Sequence, residues 1–466
     1  MFEFGRELRR LLGTDGAPGS HRDGMTGGDA VLLELLTLKL LCAEAKAADV
    51  AAGRIGEKDR PRRELEAAIV WREVARRSGD PIALRKAAAT AESAARLFET
   101  AKRPEGWARA RVEQGRCGML GAELFGDDGL NAAAEVTLRG AARGSGAAAT
   151  LAAGALAALA GRKVLAEGDL VAVRAAARAF NDPIAAMETA GKRNNAARVA
   201  AAETRAARAD LLAAGGQRLK DEALVRAAIG DLEAACALLD PAYEPLTWSR
   251  IDAQRACTQV ALGDLMGDIG MIADAVGTLA DVLEGQPRDH SPLDWAKGQA
   301  ALALGLQSLG EAGASEAAFE KAVTCFDRAA HVLKDCPGLS LRAVVASNRA
   351  VCLARCAELT GDLAVLDAAE AAFKAELAGG LHRRDPTAWA LVQIHLGRLY
   401  EARLEITGRD KGERQAAFVA FDAALEVFGE LGLRSLADVA AQGLARIKTT
   451  TPAHPGEGRE PGGPLR

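Results

Sequence analysis

The sequence predicts an all-α chain folded as an α-solenoid of stacked helical hairpins, about eight units with a period of about 47 residues. Three observations carry this. Alanine supplies about a hundred of the 466 residues, twice an average globular share, while aromatic residues make up only 4%. Sheets need β-branched and aromatic side chains on pleated faces, whereas alanine is the strongest helix former. The chain also exceeds the ~250–300 residues at which single cores stop growing. Lastly, a turn signal of Gly followed by Asp, Glu or a substitute recurs at Gly79-Asp80, Gly126-Asp127, Gly168-Asp169, Gly215-Gly216, Gly267-Asp268, Gly310-Glu311, Gly361-Asp362 and Gly408-Arg409, at intervals averaging 47.

A second set of residues repeats with the same period. Trp107-Ala108, Gly115-Arg116, Gly126 and Asp128 share their offsets with Trp389-Ala390, Gly397-Arg398, Gly408 and Asp410, six periods further on. Trp248 and Trp295 are one period apart.

Taken in chain order, residues 1–12 read as a short amphipathic helix. Phe4, Leu8, Leu11 and Leu12 fall on one face, opposite Glu3, Arg6, Arg9 and Arg10. Such a helix suits docking on a partner groove, on a membrane surface or back on its own solenoid. Residues 13–28 are a linker by their Gly, Ser and Thr content. The solenoid then runs over 29–448, opening with a helix from Asp29 to Ala52 that belongs to a degenerate first unit.

Within a unit, the first helix shows apolar residues at helical spacing, as in Leu391, Ile394, Gly397, Leu399 and Tyr400. The second does the same, as in Phe418, Phe421, Ala424, Leu425 and Phe428. The turn glycine can end the first helix in the left-handed region, and the Asp that follows can cap the second. Asp182-Pro183, Ser291-Pro292 and Asp385-Pro386 read as boundaries between units, and Asp80-Pro81 as the same device inside a unit. A hairpin of this length cannot bury its apolar faces alone, so the units must stack into a right-handed or gently curved array. A capping helix is expected over 434–448, and a Pro/Gly-rich disordered tail over 449–466.

The run Trp295-Ala296, Gln299, Leu302, Leu304-Gly305, Leu309-Gly310-Glu311, Ala317, Phe319, Ala322-Val323 and Phe326, with Leu396-Gly397 and Tyr400, resembles tetratricopeptide repeats in a long-period bacterial variety. The period is 47 where the family has 34, and Trp389 lies eight residues before Gly397 where the family's Trp lies four before its Gly. The resemblance implies a binding scaffold whose first helices line a concave face. Carried over position by position, it places Ser347, Val351, Ile394, Arg398 and Glu401 on that face as partner-binding residues. The family's clamp of Lys, Asn and Arg is not reproduced.

The 59 Lys+Arg against 63 Asp+Glu, a net charge of −4, speak against a nucleic-acid partner. The apolar run Ala147–Ala160 is too short to span a bilayer, and charges occupy the place where a signal peptide needs its apolar core, so a cytoplasmic location is expected. Eight cysteines without a C-x-x-C pair read as small core residues. Cys352, Cys356 and His395 lack a fourth metal ligand, and His331 shares no helix face with Cys325 and Cys336. The groups Arg60-Arg62-Arg63, Arg72-Arg76-Arg77 and Arg383-Arg384 read as solvated, salt-bridged faces.

No phosphate-cradling loop, nucleophile elbow or zinc-protease motif occurs, so neither catalysis nor a cofactor is expected. The leading expectation is a non-enzymatic scaffold that binds a protein or peptide segment in its concave groove. The alternatives are a peripheral membrane or polar-assembly protein recruited through Phe4, Leu8, Leu11 and Leu12, and a peptide or small-molecule sensor if a closed pocket lies within the superhelix. Nothing in the sequence fixes an oligomeric state.

Overall fold

A computed structural model describes residues 33–54, 59–336, 338–378 and 380–449. The expected docking helix with Phe4, Leu8, Leu11 and Leu12, the linker and the tail beyond Thr449 lie outside the described residues. Among those described, every regular element is helical. A short turn, Leu33–Leu35, leads into α1 (Leu38–Ala52). Hairpins follow: α2 (Arg60–Ser78) with α3 (Pro81–Thr100), α4 (Pro104–Phe125) with α5 (Asp128–Ala142), and α6 (Ala147–Glu167) with a second arm broken into α7 (Leu170–Arg178) and α8 (Asn181–Gly191). Next come α9 (Asn195–Leu219) with α10 (Glu222–Ala237) and α11 (Pro245–Met266) with α12 (Ile269–Gly285), then in chain order α13 (Pro292–Gly313) and α14 (Glu316–Leu333). The series closes with α15 (Ser340–Thr360) and α16 (Leu363–Ala378), a single turn α17 (Leu381–Arg384), α18 (Pro386–Thr407) with α19 (Glu413–Glu430), and α20 (Arg434–Thr449).

The turn chemistry works as expected at most steps. Gly79, Gly126, Gly267, Gly361 and Gly408 all adopt left-handed backbone, with φ between 61° and 72°. The carboxylates of Asp80, Asp127, Asp169, Asp268 and Asp362 accept backbone N–H groups at the start of the following helix. Three of the marks differ. Gly168 is extended, Gly215 and Gly216 lie inside α9, and Gly310 lies inside α13, where Lys220 and Ala314 take the left-handed position instead.

Asp182-Pro183 is not a boundary between units. It sits in the first turn of α8, within one hairpin. The opening helix also starts later than expected: Thr37 caps α1, and Leu33–Leu36 form a separate turn. The apolar stretch that begins at Ala147 is longer than its first fourteen residues suggest. Among the described residues α6 alone is long and apolar enough to cross a membrane by length and composition, yet here it packs on α4, α5 and α9.

Alanine explains how such long helices approach. In the α2–α3 hairpin, Ala67, Ala68, Ala75, Ala87, Ala91 and Ala94 are completely buried, so the backbones meet with few bulky knobs between them. Glycine goes further at the repeat's small position. A Cβ on Gly115 would lie 2.6 Å from Leu138, and one on the equivalent Gly397 would lie 2.7 Å from Phe421.

Two compact units emerge. One runs to Gly313 and includes Asp327–Arg342; the other comprises Ala314–Phe326 and the residues from Ala343 onward. The first unit curls back on itself. Arg76 of α2 pairs with Asp294 of α13 at 2.6 Å, Leu339 packs on Gly79, and Leu38 donates its N–H to Asp289 O at 2.9 Å. The Ser340 hydroxyl contacts the last carbonyls of α4, Glu123 O and Leu124 O, at 3.0 and 3.1 Å. In the second unit, Phe373, Leu396 and Leu399 centre one core cluster, and Phe421 and Phe428 another that includes α20.

Candidate binding cavity

A cavity of about 350 Å³ lies inside the first unit. Its wall comes chiefly from the first helices of five successive hairpins, α2, α4, α6, α9 and α11, with α8 and the Leu33-Glu34 turn completing it. One part is apolar, formed by Leu65, Ile69, Val112, Leu151, Met187 and Val199. The rest is charged, with Arg72, Arg76, Arg109, Arg116 and Arg250 facing Glu34, Glu73, Glu113 and Glu203.

Most of these charges are tightly paired. Arg72 Nε donates to Glu113. Arg76 holds Glu73 through two hydrogen bonds of 2.9 and 2.7 Å and reaches Asp294 with its remaining nitrogen. Arg77, wholly buried, donates to Glu73 at 2.7 Å and to Leu33 O and Leu36 O at 2.8 and 2.9 Å, so it grips the turn that closes the cavity. Burial alone would raise the Glu73 carboxyl, but Arg76 and Arg77 outweigh it and hold it well below the usual carboxylate range.

Glu34 has a structural task as well. Its carboxylate accepts the N–H groups of Leu246 and Thr247 at 2.8 and 2.9 Å and the Thr247 hydroxyl. It therefore caps α11 from 212 residues away along the chain. Burial raises its pKa, while its bonds to Thr247 act the other way.

Arg116 and Arg250 are held more loosely. Both pair with Glu203 at long range, Arg116 at 3.7 Å and Arg250 through a hydrogen bond of 3.5 Å, and Arg250 also lies in the field of Glu34 and Asp294. Arg250 also donates to Thr247 Oγ1 at 3.0 Å, while its Nε is buried without a partner. The three side chains remain between 32% and 40% exposed to the lumen. Burial would raise the Glu203 carboxyl, yet Arg116, Arg250, Arg72 and Arg76 together lower it, which reports a positive field in this part of the cavity.

The residues expected from sequence lie in the second unit. Ser347 and Val351 are half-buried on α15, and Val351 packs against the core. Ile394 does not face an open groove; only 4% of it is exposed, among Phe421, Phe428 and Leu444. Glu401 accepts hydrogen bonds from Arg446 of α20 at 3.1 and 2.9 Å, so the last helix occupies its acceptor face. Arg398 is half-buried close to His395. The His395 ring stacks on Phe373 at 5.7 Å.

The reading of Arg72, Arg76 and Arg77 as solvated faces also changes. They are salt-bridged but enclosed, because α13 and the Leu33 turn return to cover them. A signal for the cavity did exist. Arg398 and Ile394 are six periods beyond Arg116 and Val112, which do line it, and Glu203, Arg250 and Lys297 follow one another at a single period.

Fold and site together define an all-helical protein of repeated helical hairpins with a charged, partly apolar lumen. No family model matches the chain, and no curated protein matches it in sequence. Among solved structures it is similar to a Rap protein complexed with competence and sporulation factor, at 11% identity over 83% of this chain and 98% of that one, with a TM-score of 0.47. It is also similar to a circular tandem repeat protein (17% identity, 90% and 96%, TM-score 0.25) and to yeast Tom70 (14% identity, 88% and 94%, TM-score 0.23).

Proposed function

We propose that this chain is a non-enzymatic binding protein that receives a short peptide segment of a partner in the lumen of its first unit. The observation that carries the proposal is the cavity itself. Five first helices converge on a concave space in which an apolar wall adjoins charged groups, the composition of a ligand site. Its size, at the low end for ligand pockets, matches a few residues of an extended chain and not a folded domain.

The cavity is concave but partly open, so it suits a groove that receives a segment better than a closed sensor pocket, and a segment held there touches several repeats at once. A cytoplasmic location and recruitment to a membrane by Phe4, Leu8, Leu11 and Leu12 belong to the same proposal as subsidiary expectations. Localisation of a fluorescent fusion with and without residues 1–12 tests both.

Ala197, half-buried on the first turn of α9, lines the cavity, so Ala197→Trp fills it from the wall. The variant should keep its helical circular dichroism and melting temperature while losing retention of short peptide pools in affinity selection. Undiminished retention in a folded Ala197→Trp protein would remove the lumen as the binding site.

A further inference from the structure

We propose that Arg116 and Arg250 form a carboxylate-receiving subsite, so that the lumen selects peptides presenting a free carboxylate beside apolar side chains. This rests on the peptide reading above and names its chemistry. Three features of the cavity lead to it.

The first is the count of charges and partners. Glu73, Glu113 and Asp294 satisfy Arg72 and Arg76 through bonds of 2.9 Å or less. Arg116 and Arg250 share Glu203 at 3.7 and 3.5 Å. Arg116 and Arg250 outnumber Glu203 at this end of the cavity, while Glu34, the other carboxylate beside Arg250, has its oxygens committed to the start of α11 and to the Thr247 hydroxyl, so the guanidinium donors are left for one incoming carboxylate.

The second is the unpartnered donor. Arg250 Nε is buried without a partner, so no closed hydrogen-bond network fixes this guanidinium and its exposed nitrogens are free to turn to an incoming acceptor. The planar guanidinium presents donors in pairs, a geometry matched by the two oxygens of a carboxylate.

The third is the adjoining surface. Leu65, Ile69, Val112, Leu151 and Met187 share the cavity with these arginines, so an anionic end and an apolar body are served together. Glu203, on the repeat position that also carries Arg250 and Lys297, keeps the two guanidiniums near each other and resists a ligand of higher charge.

The test uses the purified full chain and three tetrapeptide pools, each N-acetylated. The first lacks Asp and Glu and ends in a free carboxylate. The second is the same pool with an amidated C-terminus. The third is amidated and carries one Glu. Loss of a charge-assisted bond predicts that the second pool binds at least about tenfold more weakly than the first or the third. Preference for the first assigns the carboxylate to a peptide C-terminus; preference for the third assigns it to an acidic side chain.

Arg250→Gln and, independently, Arg116→Gln should abolish that preference, so that the three pools bind alike. Glu203→Gln should strengthen binding of the preferred pool. Equal binding of all three pools overturns the carboxylate subsite but leaves the peptide reading standing. Retention of none overturns the peptide reading and the subsite with it.

Discussion

His395 shows how burial turns one side chain into a source of acid sensitivity. Its ring stacks on Phe373, and burial, aided by the positive charges of Arg398 and Arg355, lowers its pKa to about 4. In the unfolded chain the same imidazole titrates near 6.5. Between those values the unfolded state binds the extra proton, so stability falls as pH drops from about 6.5 towards 4, below which the loss is complete. His395→Phe, which keeps a ring against Phe373, should flatten that part of the stability curve of urea unfolding against pH. An unchanged slope would show that the imidazole does not supply it. None of this was visible from sequence, where His395 stood out only as a neighbour of cysteines. The same applies to Arg77: its group read as a salt-bridged face, but only the returning Leu33–Leu36 turn makes it a buried clamp.

At the scale of the helix, the chain was most legible where backbone geometry leaves one solution. Five turn glycines with left-handed φ and the Asp caps after them were readable because few residues tolerate that conformation and a carboxylate satisfies the exposed N–H groups. Gly215 and Gly216 misled because they serve packing inside a helix, with 2.8 Å between a built Cβ and Val173 at the first and 2.6 Å to Val225 at the second, and Gly310 is likewise buried within its helix. Glycine used for close approach and glycine used for a turn look alike in a sequence.

The last two hairpin layers show the packing use most clearly. The Phe421 ring is enclosed by Gly397 of α18 on one side and Gly443 of α20 on the other, with 2.7 and 2.6 Å to the nearest ring carbons from a built Cβ. Gly443→Ala must therefore push Phe421 or α20 aside. A loss of about 1–3 kcal/mol in chemical denaturation is expected, despite the higher helix propensity of alanine. A stabilised variant would mean that α20 has room the packing does not show.

For the first unit as a whole, the decisive contacts join elements far apart in sequence. Repeats usually touch only their neighbours, and on that rule α2 should have a free outer face. Instead Arg76 reaches Asp294, and the Asp294 side chain is only 3% exposed. Asp294→Ala should cost about 3 kcal/mol, the low end for breaking a buried pair because Arg76 keeps Glu73. It should also open the cavity, seen as faster hydrogen exchange in the first turn of α11. Loss of stability without that exchange would mean that the bridge acts only locally.

The helical-hairpin character of the chain could be read from local sequence, since it is a property of one hairpin and its neighbour. The cavity could not. It depends on how the small rotation between units accumulates until α13 meets α2, and that sum is set by packing at every interface. Hence the sequence reading found suitable positions, those of Ile394 and Arg398, in one unit, while their equivalents Val112 and Arg116 line the lumen of the other.

The Arg76–Asp294 contact has a further consequence for descent. Repeat arrays ordinarily lengthen or shorten by whole modules. A turn that must bring the sixth first helix against the first admits no such change: one hairpin added or deleted between them would carry Asp294 away from Arg76 and leave Glu34 without the α11 terminus it caps. The number of modules here is therefore locked, and a lineage adapting this lumen to a new ligand has only substitution of the inward-facing side chains with which to do it.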